Sequence, residues 1–297
     1  MPTNIRPLIF IIFFLITACS AQPQSGEPPS SESNEYLNNV GSDTMVNLAL
    51  AWAEQFQSLN PQSNLSVSGG GSGTGIASLI NGTTDIANAS RKIKSEEIDN
   101  AQANGIEPNE FVVARDAIAV IVNPNNPVDR LTLKQLSDIY SGKISNWQEV
   151  GGEDRPIVRL SRETNSGTHV YFLEEVLRLG NKDDKTLFST DTLLLPSSEV
   201  IGAEIRQNPN AIGYDGLGYV TDDMKVIAVS ATTTDPSAYI YPSPTTVNDG
   251  SYPIARDLYM YTAGTPEGFV KRYLDWIFTT EAQNTVTELG FVPILTP

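Results

Sequence analysis

Three times along this chain a short apolar strand runs into a loop of small polar residues and then into a helix, and this repetition constrains the fold more than any other feature. At residues 160–172, LSRETNSGTHVYF, Val158 and Leu160 close an apolar strand and Asn165-Ser166-Gly167 supplies turn chemistry. From Thr168 onward, Val170, Leu173, Val176 and Leu177 recur at helical spacing. Gly41-Ser42-Asp43-Thr44 precedes Met45, Leu48, Ala49, Trp52 and Phe56, the pattern of a capped helix start. Residues 68–75, SGGGSGTG, follow a predicted strand at 64–67 and lead into the short apolar face of Ile76, Leu79 and Ile80. Alternating strand and helix of this kind is the mark of an α/β domain.

Each corner ends on a helix N-terminus, where the first backbone N–H groups lack intrahelical partners and the macrodipole adds partial positive charge. Ser166, Gly167 and Thr168 can therefore offer hydroxyl and main-chain donors to an anion, and Arg162 adds a permanently charged fork of five donors. A capped helix with a surface arginine would look the same on that stretch alone. Three such corners in one chain favour convergence on a small oxyanion.

Other chemistries find less support. GSGTGIAS lacks the G-K-[ST] ending of a P-loop and the G-x-G-x-x-G spacing of a dinucleotide site. His169, the single histidine, lies near Ser166, but a Ser-His pair needs a base oriented by a third group, and a residue this close to a helix start can equally point away. No cluster has metal-ligand spacing, so neither metal nor cofactor is expected and the chain is read as a binder, not an enzyme. Trp52, Trp147 and Trp276 are read as packing residues. No repeat of 20–50 residues points to a solenoid.

The N-terminus reads as an export signal. Arg6 precedes the apolar run 8–16, which is too short to span a bilayer but suits a signal peptide over residues 1–18. Ile16-Thr17-Ala18-Cys19 resembles a bacterial lipobox, so Cys19 is the expected lipidation site, palmitate included; a cleaved signal with an incidental cysteine is the alternative. As the only cysteine it allows no internal disulfide. Residues 19–36, rich in Ser, Pro, Gln and Glu, read as a disordered tether holding a membrane-anchored monomer off the envelope surface.

The remaining roughly 260 residues suffice for two cores. Formal charge is −16, and loss of Arg6 makes the mature chain one unit more acidic, which argues against nucleic acid. It also rules out long-range attraction as the means of holding an anion. With a Debye length of about 8 to 10 Å, affinity must come from short-range, directed donors.

From about residue 38 onward the chain resembles the phosphate-binding proteins of bacterial ABC transporters, PstS-like proteins of the type II periplasmic binding protein fold. The resemblance is carried by SGGGSGTGIASLINGTTDIANASR, TLKQLSDIYSGKISNW, the signature from Arg162 to Thr168, and IGYDGLGYV. It implies two lobes joined by two crossing strands with a ligand cleft between them: lobe I from residues 37–116 and 256–297, lobe II from 117–255. The crossing strands would be the apolar segments 111–122 and 252–260, each broken by Ala-Arg-Asp. Around them, helices are predicted to start at Ser95, after Thr132, at Ser197-Ser198-Glu199, at Thr265-Pro266-Glu267 with proline near the first turn, and at Thr280.

Carried over by position, the family's ligand residues fall on Asp43, Thr44, Ser72, Ser90, Arg162, Ser166, Gly167 and Thr168. Ser90 departs from the pattern, since many members place there an aspartate that accepts the proton of hydrogen phosphate. Asp43 either takes that role or only caps its helix. The implied function is capture of inorganic phosphate by cleft closure for an inner-membrane ABC permease, on the periplasmic or cell-surface side of the envelope. A surface phosphate scavenger or sensor without a transporter, and a receptor for another tetrahedral oxyanion, are the alternatives.

Overall fold

In the computed structural model, which describes residues 35–231, 235 and 238–294, the two Ala-Arg-Asp segments are neighbouring antiparallel strands. The elements run β1 (Glu35–Gly41), α1 (Val46–Leu59), β2 (Ser63–Ser68), α2 (Ser72–Ile80), β3 (Ile86–Ala89), α3 (Ser95–Ala103), β4 (Pro108–Val122), β5 (Arg130–Thr132), α4 (Leu133–Tyr140), β6 (Val158–Arg162) and α5 (Gly167–Tyr171). They continue with β7 (Leu193–Leu195), α6 (Ser198–Gln207), β8 (Ala211–Gly216), β9 (Lys225–Ser230), α7 (Pro244–Asn248), β10 (Ala255–Ala263), α8 (Gly268–Ile277) and α9 (Thr280–Glu288). The strand order is β2-β1-β3-β10-β4-β8-β6-β7, and β9 pairs with both β4 and β5.

Strand β4 is long enough to serve two sheet regions. Its residues up to Ala117 pair with β10, and those from Ile118 pair with β8 and, further on, β9. Register sets Arg256 opposite Asp116 and Asp257 opposite Arg115, so each tripeptide supplies the counter-charge of the other. The two pairs differ sharply in setting. Arg256–Asp116, at 2.8 Å, is buried, whereas Arg115–Asp257, at 3.4 Å, is about 40% exposed on both sides (41% and 39%).

The apolar side chains divide at the same place. Leu37, Leu48, Trp52, Phe56, Val113, Leu258, Tyr273 and Val286 share one core. Val120, Leu136, Tyr140, Phe172, Tyr214 and Ile254 share another. All three tryptophans pack as expected: Trp52 is buried and donates to the Ala282 carbonyl at 2.8 Å, Trp147 is buried against the Asn210 carbonyl at 2.9 Å, and Trp276 stacks on Tyr273.

Local differences have identifiable causes. The helix expected from Thr168 through Leu177 begins one residue earlier, at Gly167, and after Tyr171 becomes a π-turn over Phe172–Leu177. The wider turn buries Phe172 with Val176 and Leu177 and leaves Leu173 at the margin. Phe172 stacks on Tyr214, with centroids 3.6 Å apart, a contact worth about 1 kcal/mol beyond its area. Helix α8 begins at Gly268, after a Glu267 cap, so Pro266 lies outside the first turn. Glu35 and Tyr36, expected in the tether, already pair with β2 through Ser63 and Asn64. The expected signal peptide, Cys19 and the rest of the tether lie outside the described residues.

Candidate functional site

The three corners predicted from sequence meet one another. At the first, a short 3-10 turn, Asp43–Met45, precedes α1, and the Thr44 hydroxyl is 2.8 Å from the Thr168 hydroxyl of the third. At the second, Gly70 and Gly71 adopt positive φ (110° and 95°), which turns the chain onto the N-terminus of α2 at Ser72. A Cβ on Gly71 would lie 2.8 Å from the Asn165 carbonyl oxygen, and the Gly73 N–H donates to that same oxygen at 3.0 Å. At the third, Ser166 caps α5, its hydroxyl accepting from the Thr168 N–H at 3.2 Å. A Cβ on Gly167 would fall 2.3 Å from the Ser72 hydroxyl oxygen and 2.6 Å from that of Ser90, so glycine lets both hydroxyls point at this corner.

Hydroxyl polarity follows from these contacts. Ser72 accepts from the Ser90 N–H (3.0 Å), Ser166 from the Thr168 N–H, and Thr44 lies 3.4 Å from an Arg256 nitrogen that can only donate. Each oxygen is thus engaged as an acceptor, while the Thr44–Thr168 and Ser72–Ser90 hydroxyl pairs, at 2.8 and 3.3 Å, can each be re-aimed so that their hydrogens go to a ligand. A cluster arranged this way suits an anion.

Two buried guanidiniums and three carboxylates surround the hydroxyls. Arg162 Nη1 is 3.0 Å from Asp43 Oδ2 and donates to the Ser198 hydroxyl at 3.0 Å, while Nη2 donates to the Pro196 carbonyl at 2.9 Å. Its Nε is buried without a partner. Arg256 donates to Asp116 and to the Ser90 carbonyl, and so ties β10 to the third strand of the sheet at its Ser90 end. Burial pushes the Asp116 carboxyl above the usual range against the pull of Arg256. Asp215, fully buried, is raised to about 6 by the same cause, against the pull of Arg162. Among the described residues no group of His, Cys, Asp or Glu could hold a metal ion, and no helix is long and apolar enough to cross a membrane.

Comparison with known proteins bears on this arrangement. A model of the PBP superfamily domain matches residues 26–281. The phosphate-binding protein PstS of Pseudomonas aeruginosa is 30% identical over 275 residues, covering 87% of this chain and 83% of its own. The chain belongs to the PstS family. PstS of Bacillus subtilis is likewise 30% identical, over 295 residues, covering 97% of this chain and 92% of its own. A Clostridium perfringens structure, assigned as a phosphate ABC transporter substrate-binding protein and solved with bound phosphate, superposes with a TM-score of 0.78 at 31% identity, covering 88% of this chain and 100% of that one. The fold is accordingly the two-lobed type II binding-protein fold of the PstS family, with β4 and β10 as its crossing strands.

Within this PstS-family fold, all eight residues singled out in the sequence fall in one neighbourhood. Thr44, Ser72, Ser90, Arg162, Ser166, Gly167 and Thr168 are buried there, and Asp43 is half-buried at its edge. Asp43 does not cap the helix it opens. Its carboxylate instead forms an ion pair with Arg162 and accepts from the Ser198 N–H, at 3.1 Å, at the start of α6. His169 faces away from the corners: its Nδ1 is 3.0 Å from the Ser161 hydroxyl, its ring packs on Phe188, and burial lowers its pKa. A neutral ring so placed has no part in a Ser166 pair. Sequence reasoning missed Ser198, Asp215, Asp116 and Arg256. The Ala-Arg-Asp breaks were a visible sign of the last two, and Asp215 stands inside the motif IGYDGLGYV.

Proposed function

We propose that this protein captures inorganic phosphate as the solute-binding component of an ABC importer. The observation that carries the reading is the meeting of three helix N-termini, with their hydroxyls gathered together, beside a buried arginine. The names of the relatives supply the anion. Thr44, Ser72 and Ser90 would bind from a lobe of residues 37–116 and 256–297, and Arg162, Ser166, Gly167 and Thr168 from a lobe of residues 117–255. The change of core at the Ala-Arg-Asp pairs supports that division. Closure about β4 and β10 surrounds the anion and replaces its water by fixed donors. The closed form is what an inner-membrane permease recognises. Lipidated at Cys19, the protein works as a monomer at the periplasmic or cell-surface face of the envelope. Calorimetric titration with phosphate, sulfate, arsenate and molybdate tests the reading: phosphate should bind tightly and with the largest affinity, and preference for sulfate or molybdate would overturn it.

Selectivity rests on the proton. Phosphate at neutral pH has one to give and sulfate has none, so a carboxylate at the cleft accepts from the first and repels the second. Asp43 takes this role, since Oδ2 serves Arg162 and Ser198 while Oδ1 faces Gly69 at the mouth of the second corner. In Asp43→Asn, sulfate affinity should rise and phosphate affinity fall. Unchanged titrations with both anions would refute the assignment.

Closure makes a separate prediction. In Gly167→Ala the methyl group displaces the Ser72 and Ser90 hydroxyls from their places and presses on the Ser72 Cβ, 3.0 Å away. Phosphate binding should weaken at least tenfold, about 1.4 kcal/mol, while circular dichroism at room temperature stays that of the parent. Parent-like affinity would show that these two hydroxyls need not hold their places.

A further inference from the structure

Of the three carboxylates around Arg162 and Arg256, Asp215 is the one with a buried oxygen left unengaged. Asp116 accepts from Arg256 and from the Leu217 N–H, and Asp43 holds Arg162 and the start of α6 while reaching solvent. Asp215 lies on β8 with Oδ1 accepting from the Ser198 hydroxyl and the Gly216 N–H, each at 2.8 Å. No donor reaches its buried Oδ2. The Ser198 hydroxyl also receives Arg162 Nη1, so a two-bond chain links Asp215 to the arginine at the anion site. Two guanidiniums against three carboxylates leave the site one unit negative before any anion arrives.

Building on the phosphate reading, we propose that Asp215 takes up a proton as the anion enters, acting as a positioning residue that keeps Arg162 directed at the anion instead of at its own carboxylate. The proton comes from solvent and remains on the unengaged Oδ2, so the loaded site carries the charge of the anion without that of a third carboxylate. The surrounding groups make this carboxylate the one that yields. Acting on it are Arg162 from β6, Arg256 from β10, Tyr214 on β8 itself and Tyr219 just beyond, while Asp116 from β4 lies against the next residue, Gly216, and Asp43 and Glu199 act on Tyr219. Burial already raises its carboxyl to about 6, and a dianion brought beside Arg162 weakens the largest of the interactions that hold it down, the others being the Ser198 and Gly216 hydrogen bonds and Arg256.

Phosphate titrations in buffers of different ionisation enthalpy, compared between the parent protein and Asp215→Asn, read the proton directly. At pH 7 the parent should take up close to one proton more than the variant; the titration of phosphate itself is common to both and cancels. Between pH 7 and 8 the parent's Kd should rise by nearly tenfold more than that of Asp215→Asn, which should bind more tightly than the parent at pH 8. Equal proton uptake in the two proteins overturns the proposal. If the parent binds no phosphate at all, the reading of the site itself fails. Should the variant not fold, the infrared difference spectrum of the parent decides: phosphate should bring in the C=O stretch of a neutral carboxylic acid, and its absence overturns the assignment.

Discussion

Replacing Arg162 by alanine is expected to weaken phosphate binding by at least about 3 kcal/mol, more than a hundredfold in Kd. Arg162 is buried, and its guanidinium is shared among Asp43, Ser198 and the Pro196 carbonyl, with Nε unclaimed by any protein group. Removing it takes away the positive charge at the third corner and also leaves Asp43 without its ion-pair partner. Arg162→Lys keeps the charge but not the planar fork, and an ammonium group cannot reach Asp43, Ser198 and an anion together in the same geometry. It should recover part of the affinity. Isothermal calorimetry measures both variants, and an Arg162→Ala protein within threefold of the parent would refute the role given to this side chain.

Arg256→Ala is expected to destabilise the fold by about 3–5 kcal/mol, because Asp116, fully buried, would lose its counter-ion. Urea unfolding at pH 7 reads the loss as a lower midpoint. The twin pair provides the control. Arg115 and Asp257 come from the same two tripeptides but are about 40% exposed (41% and 39%), so Arg115→Ala should cost at most about 1 kcal/mol. Removing both members of the buried pair, as in Asp116→Asn with Arg256→Met, should restore most of what Arg256→Ala loses. Equal, small losses at both pairs would mean that the buried pair does not hold the crossing strands together.

How much of this was legible in the sequence depends on the range over which each feature is encoded. The corners are local: glycine at positive φ, a capping serine and an apolar helix face all lie within about ten residues, so Gly70, Gly71, Ser72, Ser166 and Gly167 could be placed before any coordinates. Their convergence was inferred from repetition and from family resemblance. The Ala-Arg-Asp breaks were visible as interruptions of apolar strands, but the register that sets Arg256 on Asp116 joins residues 140 positions apart, and no local pattern encodes it. Asp215 was hidden for a related reason. A strand alternates its faces, and which face meets Arg162 depends on the neighbours of β8, namely β4 and β6. Ser198 was read only as the start of a helix, because its second partner, Arg162, is 36 residues away. The π-turn escaped because a 3.6-residue period marks Leu173 as an inward position, whereas the packing of Phe172 on Tyr214 selects a wider turn.

The account turns on whether one anion is held where the three corners meet, and crystals grown with arsenate, located by its anomalous scattering, test that most directly. A single peak is expected within hydrogen-bonding distance of the Arg162 guanidinium and of the hydroxyls of Thr44, Ser72, Ser166 and Thr168, with both cores unchanged in their packing. A peak confined to the groove of about 330 Å³ lined by Arg91, Lys92 and Lys94, with the corners holding no anion, would contradict it.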